Sequence, residues 1–206
     1  MARVAARERR RQLVDAAYRV IGRDGFAAAT TRRVCAEAGA SLAAFHYCFA
    51  SKQELLVELT EQAMRELEAA RAGGVTIRAT AAESIRATLH GYWDTVEADP
   101  NREQVLVALT QHALGDSSLA GVAQRQYAAY HRAAAEALRE IAEGCGVRWS
   151  LPIEQLARML VVVTDGVTVA WLVDRDSTAA RAALDAFAAH LATHARPGGA
   201  STKFRI

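Results

Sequence analysis

Helix punctuation is densest between residues 30 and 52, "TTRRVCAEAGASLAAFHYCFASK", and that stretch constrains the fold more than any other. Thr30 is placed to cap a helix over about 31–38, and Gly39 to stop it. Ser41 can open a very short helix through Phe49, and Ser51 a longer one. A hydroxyl at each start accepts a backbone N–H that the first helical turn leaves unpaired, and glycine tolerates the positive φ of a tight reversal. Two helices joined by a three- to four-residue turn containing glycine have the dimensions of a helix-turn-helix. Many helical hairpins share that pattern, so the side chains and the rest of the chain must decide.

On the wheel of the very short helix, Phe45 and Phe49 fall about 40° apart and define the buried side, with Leu42 on its flank. Ala43, Ala44 and Tyr47 point the opposite way. His46 and Cys48 diverge by about 160°, which makes a shared metal ion geometrically poor. No metal-ligand spacing, phosphate loop, cofactor motif or nucleophile-base arrangement occurs elsewhere, and His90, His112 and His131 are scattered over three successive helices. These observations predict neither a catalytic site nor a metal or cofactor.

Charge is segregated along the chain. Up to residue 53 there are ten Lys/Arg against four Asp/Glu, a net of +6; beyond it there are fifteen against nineteen, a net of −4. A basic head on a mildly acidic body suggests that the head meets a polyanion, although a solvated first helix accounts for part of it. The three cysteines form no C-x-x-C pair, which fits a reducing cytoplasm. The N-terminus lacks the apolar core of a signal peptide. The longest apolar run, "MLVVVTDGVTVAWLV", is interrupted at Thr164-Asp165-Gly166 and falls short of the roughly 20 residues of a membrane span. The reading is a cytoplasmic protein with no membrane partner.

Outside the punctuated stretch the periodicity is helical throughout, in an alanine-rich chain with only three prolines. A first helix is expected over about 5–23, ended by Gly25, with Phe26 folding back on its apolar stripe. The helix after Ser51 runs to about Arg71, where "RAGGVTIRAT" interrupts it. Further helices are expected at about 78–98, 101–115, 117–143, 152–174 and 177–195. No segment shows sustained strand alternation. The fold class is all-α with about nine helices: a helix-turn-helix part over 1–50, a larger helical part over 51–196 joined to it by the 51–71 helix, and a tail from 197 to 206.

Residues 25 to 56, "GFAAATTRRVCAEAGASLAAFHYCFASKQELL", resemble the DNA-binding signature of the tetracycline-repressor (TetR) family of transcriptional regulators. The matching positions are Gly25-Phe26, Thr30, Val34, Gly39, Ser41, the aromatic run ending at Phe49, and Ser51-Lys52 before an acidic-leucine segment. The resemblance implies a homodimer that places each short helix in a major groove of a palindromic double-stranded operator, and a body that binds a small-molecule effector. Carried over by position, Thr30, Thr31, Arg32, Tyr47 and Lys52 would meet phosphate, with Arg33 divided between phosphate and solvent. Leu42, Ala43, Ala44 and His46 would face the bases, and Ser41, at the start of the same helix, would also belong to the DNA-binding surface. Here the chain departs from the commoner family pattern, which often has lysine at the position of Leu42 and threonine at that of Ala44. Apolar side chains make no bidentate bonds to base edges, so specificity would rest on His46, shape and thymine methyl contacts. Leu42 reads equally well as an extension of the buried edge.

In the body, Trp93, Thr110, Gln111, Tyr127 and Trp171 are candidates for lining an effector pocket, or else core residues with satisfied polar tips. Asp165, an acid within an apolar helix, needs a partner, either a ligand or a group across a dimer. The last two helices offer the small and branched faces of a two-fold four-helix interface, or equally of an internal helical core. Two rival readings are a ligand-independent DNA-binding activator or architectural protein, and a helical enzyme.

Overall fold

The computed structural model describes residues 2–71, 75–116 and 119–198. Among them are nine α-helices: α1 (Ala2–Asp24), α2 (Thr31–Glu37), α3 (Leu42–Cys48), α4 (Lys52–Arg71), α5 (Ala81–Ala98), α6 (Pro100–Gly115), α7 (Ala120–Cys145), α8 (Ile153–Asp174) and α9 (Ser177–Ala192). The fold is all-α, as the periodicity predicts. The described residues fall into two compact units, one of 2–70 with 98–129 and one of 71–97 with 130–198. The expected boundary at residue 50 thus lies inside the first unit, which runs on through α4 and takes in α6 and the start of α7.

The first unit is built around α1. Leu13, Ala17, Val20 and Ile21 recur at helical spacing, are at most 1% exposed, and share a core with Val34, Phe45, Phe49, Leu55, Leu59, Val105 and Leu109. Gly25, at φ 83°, ends α1, and its N–H donates to the Ile21 carbonyl at 3.0 Å. Phe26 starts a single 3-10 turn and packs, half-buried, against the core that contains the α1 stripe; its ring also stacks on His112 of α6 at 4.0 Å. Pro100 occupies the first turn of α6, where a missing N–H costs nothing, and the Asp99 side chain caps that helix by accepting from the Arg102 N–H at 3.0 Å.

The second unit packs α5 and the later part of α7 with α8 and α9. Trp93 and Trp171 meet edge to face, ring centroids 5.5 Å apart. Arg181 of α9 donates to Asp94 at 2.7 Å and to Glu97, and Asp185 accepts from Arg86 at 2.8 Å and from His90 at 2.7 Å, so a polar seam joins α9 to α5. A three-residue strand β1 (Val147–Trp149) pairs antiparallel with β2 (Ala195–Pro197), setting Val147 opposite Pro197. Sequence reading extended the last helix to 195 and began the tail at Pro197. Instead α9 ends at Ala192, and the chain pairs with the residues after Gly146, which turns at φ 63°. Strands of three residues are too short for alternation to register. The rest of the expected tail, from 199 on, lies outside the described residues.

The Thr164-Asp165-Gly166 interruption does not break α8. That helix runs 22 residues, and its most apolar 18-residue stretch has a mean hydropathy of 1.7, long and apolar enough by composition to cross a membrane. Its buried residues, Leu156, Val161, Thr164, Thr168 and Trp171, occupy one face, and the Thr164 hydroxyl donates to the Leu160 carbonyl, so the polar step is satisfied within the helix. The opposite side shows Val162, Val169 and Val173 to solvent at 64%, 45% and 84% exposure, with Gly166 exposed among them.

Candidate nucleic-acid interface

The local chemistry of α2 and α3 follows the punctuation. The Thr30 hydroxyl accepts from the Arg33 N–H at 3.2 Å and the Ser41 hydroxyl from the Ala44 N–H at 3.1 Å, so each short helix is capped at its start. Gly39 takes φ 59° in the turn between them. Phe45 and Phe49 are each 1% exposed with rings 5.6 Å apart, and they hold α3 against the core. The face left outward carries Tyr47 at 78% exposure and Leu42 at 43%, together with exposed Ser41, Ala43 and His46; Ala44 is half-buried. Leu42 therefore does not extend the buried edge. The His46 ring meets Phe45 edge-on at 5.5 Å, and Cys48 turns the other way, its sulfur 4.0 Å from the Ala6 carbonyl of α1.

Thr30 and Arg32 are exposed at the start of α2, and Thr31 is half-buried. Arg33 is exposed and pairs with Asp24 at 3.0 Å. Lys52 is half-buried over the Phe26 ring at 4.7 Å, and burial pushes its ammonium pKa down. Thr30, Thr31, Arg32, Arg33, Ser41, Leu42, Ala43, Ala44, His46, Tyr47 and Lys52 all fall within the first unit.

Much of the head's positive charge is already matched. Arg23 bridges Asp24 and Glu37, and Arg19 donates to Glu37 at 3.0 Å. Hydrogen bonds from Arg23, then Arg33, pull the Asp24 carboxyl down to about 2, and those from Arg19, then Arg23, hold Glu37 below the usual carboxylate range. Arg10 is matched in the same way, and its role has no counterpart in the sequence reading. It donates to Glu54 at 2.8 Å, to Glu58 and to the Cys48 carbonyl, and lies over the Phe49 ring at 4.2 Å. The Ala50 N–H, then Arg10, holds Glu54 low. Arg10 thus ties the end of α3 to α4. A faint signal existed in Glu54 and Glu58, one turn apart in the acidic-leucine segment.

The six candidates for an effector pocket divide between the two units. Trp93, Asp165 and Trp171 belong to the second unit, and Thr110, Gln111 and Tyr127 to the first. Trp93 is fully buried and Trp171 is 6% exposed, both as core. Asp165 is half-buried, and its charge opposes the burial and the Arg158 charge that together lower the His131 pKa. Thr110 donates to the Leu106 carbonyl at 3.0 Å and to Gln126 at 3.4 Å; Gln111 is exposed and Tyr127 half-buried. Among the described residues no group of three His, Cys, Asp or Glu converges as metal ligands.

Two capped short helices on a glycine turn, with an outward apolar face beside cations, define a helix-turn-helix regulator. A profile of bacterial regulatory proteins of the tetR family matches residues 13–59, and a profile of the C-terminal part of BetI-type transcriptional repressors matches 81–196. The chain is 30% identical to the nicotine-responsive transcriptional repressor HdnoR of Paenarthrobacter nicotinovorans over 181 residues, 84% of this chain and 88% of that protein. A putative TetR-family regulator of a Rhodococcus species shares the fold with a TM-score of 0.75 at 21% identity, over 90% of this chain and 99% of the other. A putative transcriptional regulator from Saccharomonospora viridis, solved in complex with choline, superposes with a TM-score of 0.73 at 21% identity, over 89% and 96%. The chain belongs to the tetR family of bacterial regulatory proteins: it is a transcriptional repressor with a helix-turn-helix DNA-binding part, and not an enzyme.

Proposed function

We propose that this repressor acts in the cytoplasm as a homodimer on a palindromic operator and is released by a small-molecule effector. The observation that carries the reading is the outward face of α3, where Leu42, Ala43, His46 and Tyr47 stand clear of the core, in the same unit as exposed Arg32 and half-buried Lys52. Phosphate contacts fall to Thr30, Thr31, Arg32, Arg33, Tyr47 and Lys52, aided by the free N–H groups and dipoles at the starts of α2 and α3. Base reading falls to Ser41, Leu42, Ala43, Ala44 and His46 and leans on thymine methyls and groove shape.

Dimerisation through α8 and α9 is supported by the Val162, Val169 and Val173 stripe and by exposed Ala182, Ala183, Ala186 and Ala189. A Cβ added at Gly166 would meet nothing within 4 Å, which leaves room for a second helix to approach. A relative named for its response to nicotine and a structural neighbour bound to choline support an organic amine as the effector class. In the second unit Trp93, Trp171 and Asp165 are the candidates to sense it, and in the first Thr110, Gln111 and Tyr127.

Footprinting of the DNA upstream of the protein's own gene, repeated with candidate amines, tests the reading. Two symmetric protected half-sites that fade with one amine are the expected result; a single unsymmetrical footprint, or none at physiological salt, overturns it.

A further inference from the structure

A cleft of about 330 Å³ opens within the first unit between α1, α4 and α6. Leu59, Val105, Leu106 and Leu109 line it, all at most 9% exposed, and Asp15, Tyr18, Gln62 and Asp99 give it polar groups. That volume lies at the small end of the range for organic ligands, and an apolar wall with few polar groups is the usual composition of such sites.

The charges around the cleft choose the ligand. Arg19 and Arg102 also reach it, but Arg19 donates to Glu37 at 3.0 Å and Arg102 to Glu103 at 2.7 Å, so both guanidiniums are matched by carboxylates. Asp99 is occupied as well: one oxygen caps α6 through the Arg102 N–H at 3.0 Å, and the other accepts from the Tyr18 hydroxyl at 2.9 Å. Asp15 differs. It is half-buried and accepts from the Gln62 amide at 3.4 Å, near the limit of a hydrogen bond. An anionic ligand would face two carboxylates, and a neutral one, even with a hydroxyl to replace a water on Asp15, would bring no charge to set against that carboxylate. A cation answers the spare acceptor capacity of Asp15 while its apolar body covers the leucines.

We propose that this cleft binds a small organic cation, its ammonium at Asp15 and its apolar body against Leu59, Leu106 and Leu109. The class of ligand agrees with the effector proposed above, and the consequence of binding rests on that reading. The cleft is walled by α1 and α6, and α1 packs on α2 and α3, so an occupant biases the helices that carry the reading face.

Titration calorimetry of the whole chain without DNA tests the site, with protonated benzylamine, benzyl alcohol and benzoate as cationic, neutral and anionic probes. Binding of the cation should exceed that of either other probe by about tenfold, the worth of one charge-assisted contact. Asp15→Asn, nearly isosteric and still able to meet Gln62, should erase that preference, and Leu106→Trp should fill the cleft and abolish binding of the cation. Equal binding of all three probes, or a preference that survives Asp15→Asn, overturns the site. An operator titration with the same cation then separates the two readings: binding through Asp15 without operator release upholds the site and removes its regulatory consequence, whereas absence of binding removes the site and leaves the footprint's response to other amines as the measure of effector control.

Discussion

Helices α3 and α8 both show apolar side chains to water, but in opposite company. On α3, Leu42 and Tyr47 stand among His46, Arg32, Lys52 and the capped starts of two helices. On α8, Val162, Val169 and Val173 stand around an open glycine, in the same unit as the small-residue face of α9. The difference teaches that exposure alone does not name a partner. An apolar surface beside unpaired donors and cations suits a polyanion whose bases add methyl contacts, and one beside alanine and glycine suits another helix at close range.

The largest effect that would break the comparison comes from α8. Val162→Glu with Val169→Glu puts like charges in the proposed interface, and sedimentation should show a protein of half the mass whose operator affinity falls about 100-fold as two heads become one. A double variant that stays dimeric removes α8 from the interface. Next comes α3: Tyr47→Ala with Lys52→Ala should weaken operator binding about 10- to 100-fold with sedimentation unchanged. Lys52→Ala alone should lower the slope of log affinity against log salt by about one. An unaltered salt slope would take Lys52 off the phosphate.

Smaller effects probe what holds each region. Arg10→Met keeps some cover on Phe49 but removes the bonds to Glu54, Glu58 and the Cys48 carbonyl; discounted for its partial exposure, the loss should be about 1–2 kcal/mol in urea melts. Acid should act on the two units in different windows. The folded pKa of His131 in the second unit lies below its ordinary value, so its share of stability is complete above about pH 6.5 and declines as pH falls below that. Asp24, Glu37 and Glu54 in the first unit also lie low, so their share is complete above about pH 4 and is lost as pH falls, for Asp24 down to about 2. His131→Gln should therefore flatten thermal stability just below about pH 6.5 and leave the drop below about pH 4 unchanged.

Legibility in the sequence followed the range of the interaction. Thr30, Gly39 and Ser41 act within four residues of themselves, and the helix-turn-helix could be read from them directly. The Phe45–Phe49 side and the outward Tyr47 followed from a period of 3.6. The ion pairs of Arg10 with Glu54 and Glu58 span more than 40 positions, and the one-turn spacing of the two glutamates does not say which arginine they meet. For the same reason the second contact of Phe26 went unread, because His112 lies 86 positions further on. The β1–β2 pairing escaped because three residues carry no readable alternation, and the division of Trp93 and Trp171 from Thr110, Gln111 and Tyr127 followed from the chain crossing between units twice within α5 to α7.

All three tryptophans, Trp93, Trp149 and Trp171, lie in the second unit, and the first has none. Intrinsic fluorescence excited at the red edge of the absorption band is thus a reporter of one half of the molecule, while circular dichroism sums over both. If the two signals part company along a denaturant series, the halves melt as separate cooperative blocks; if they coincide, the repressor stands or falls as one.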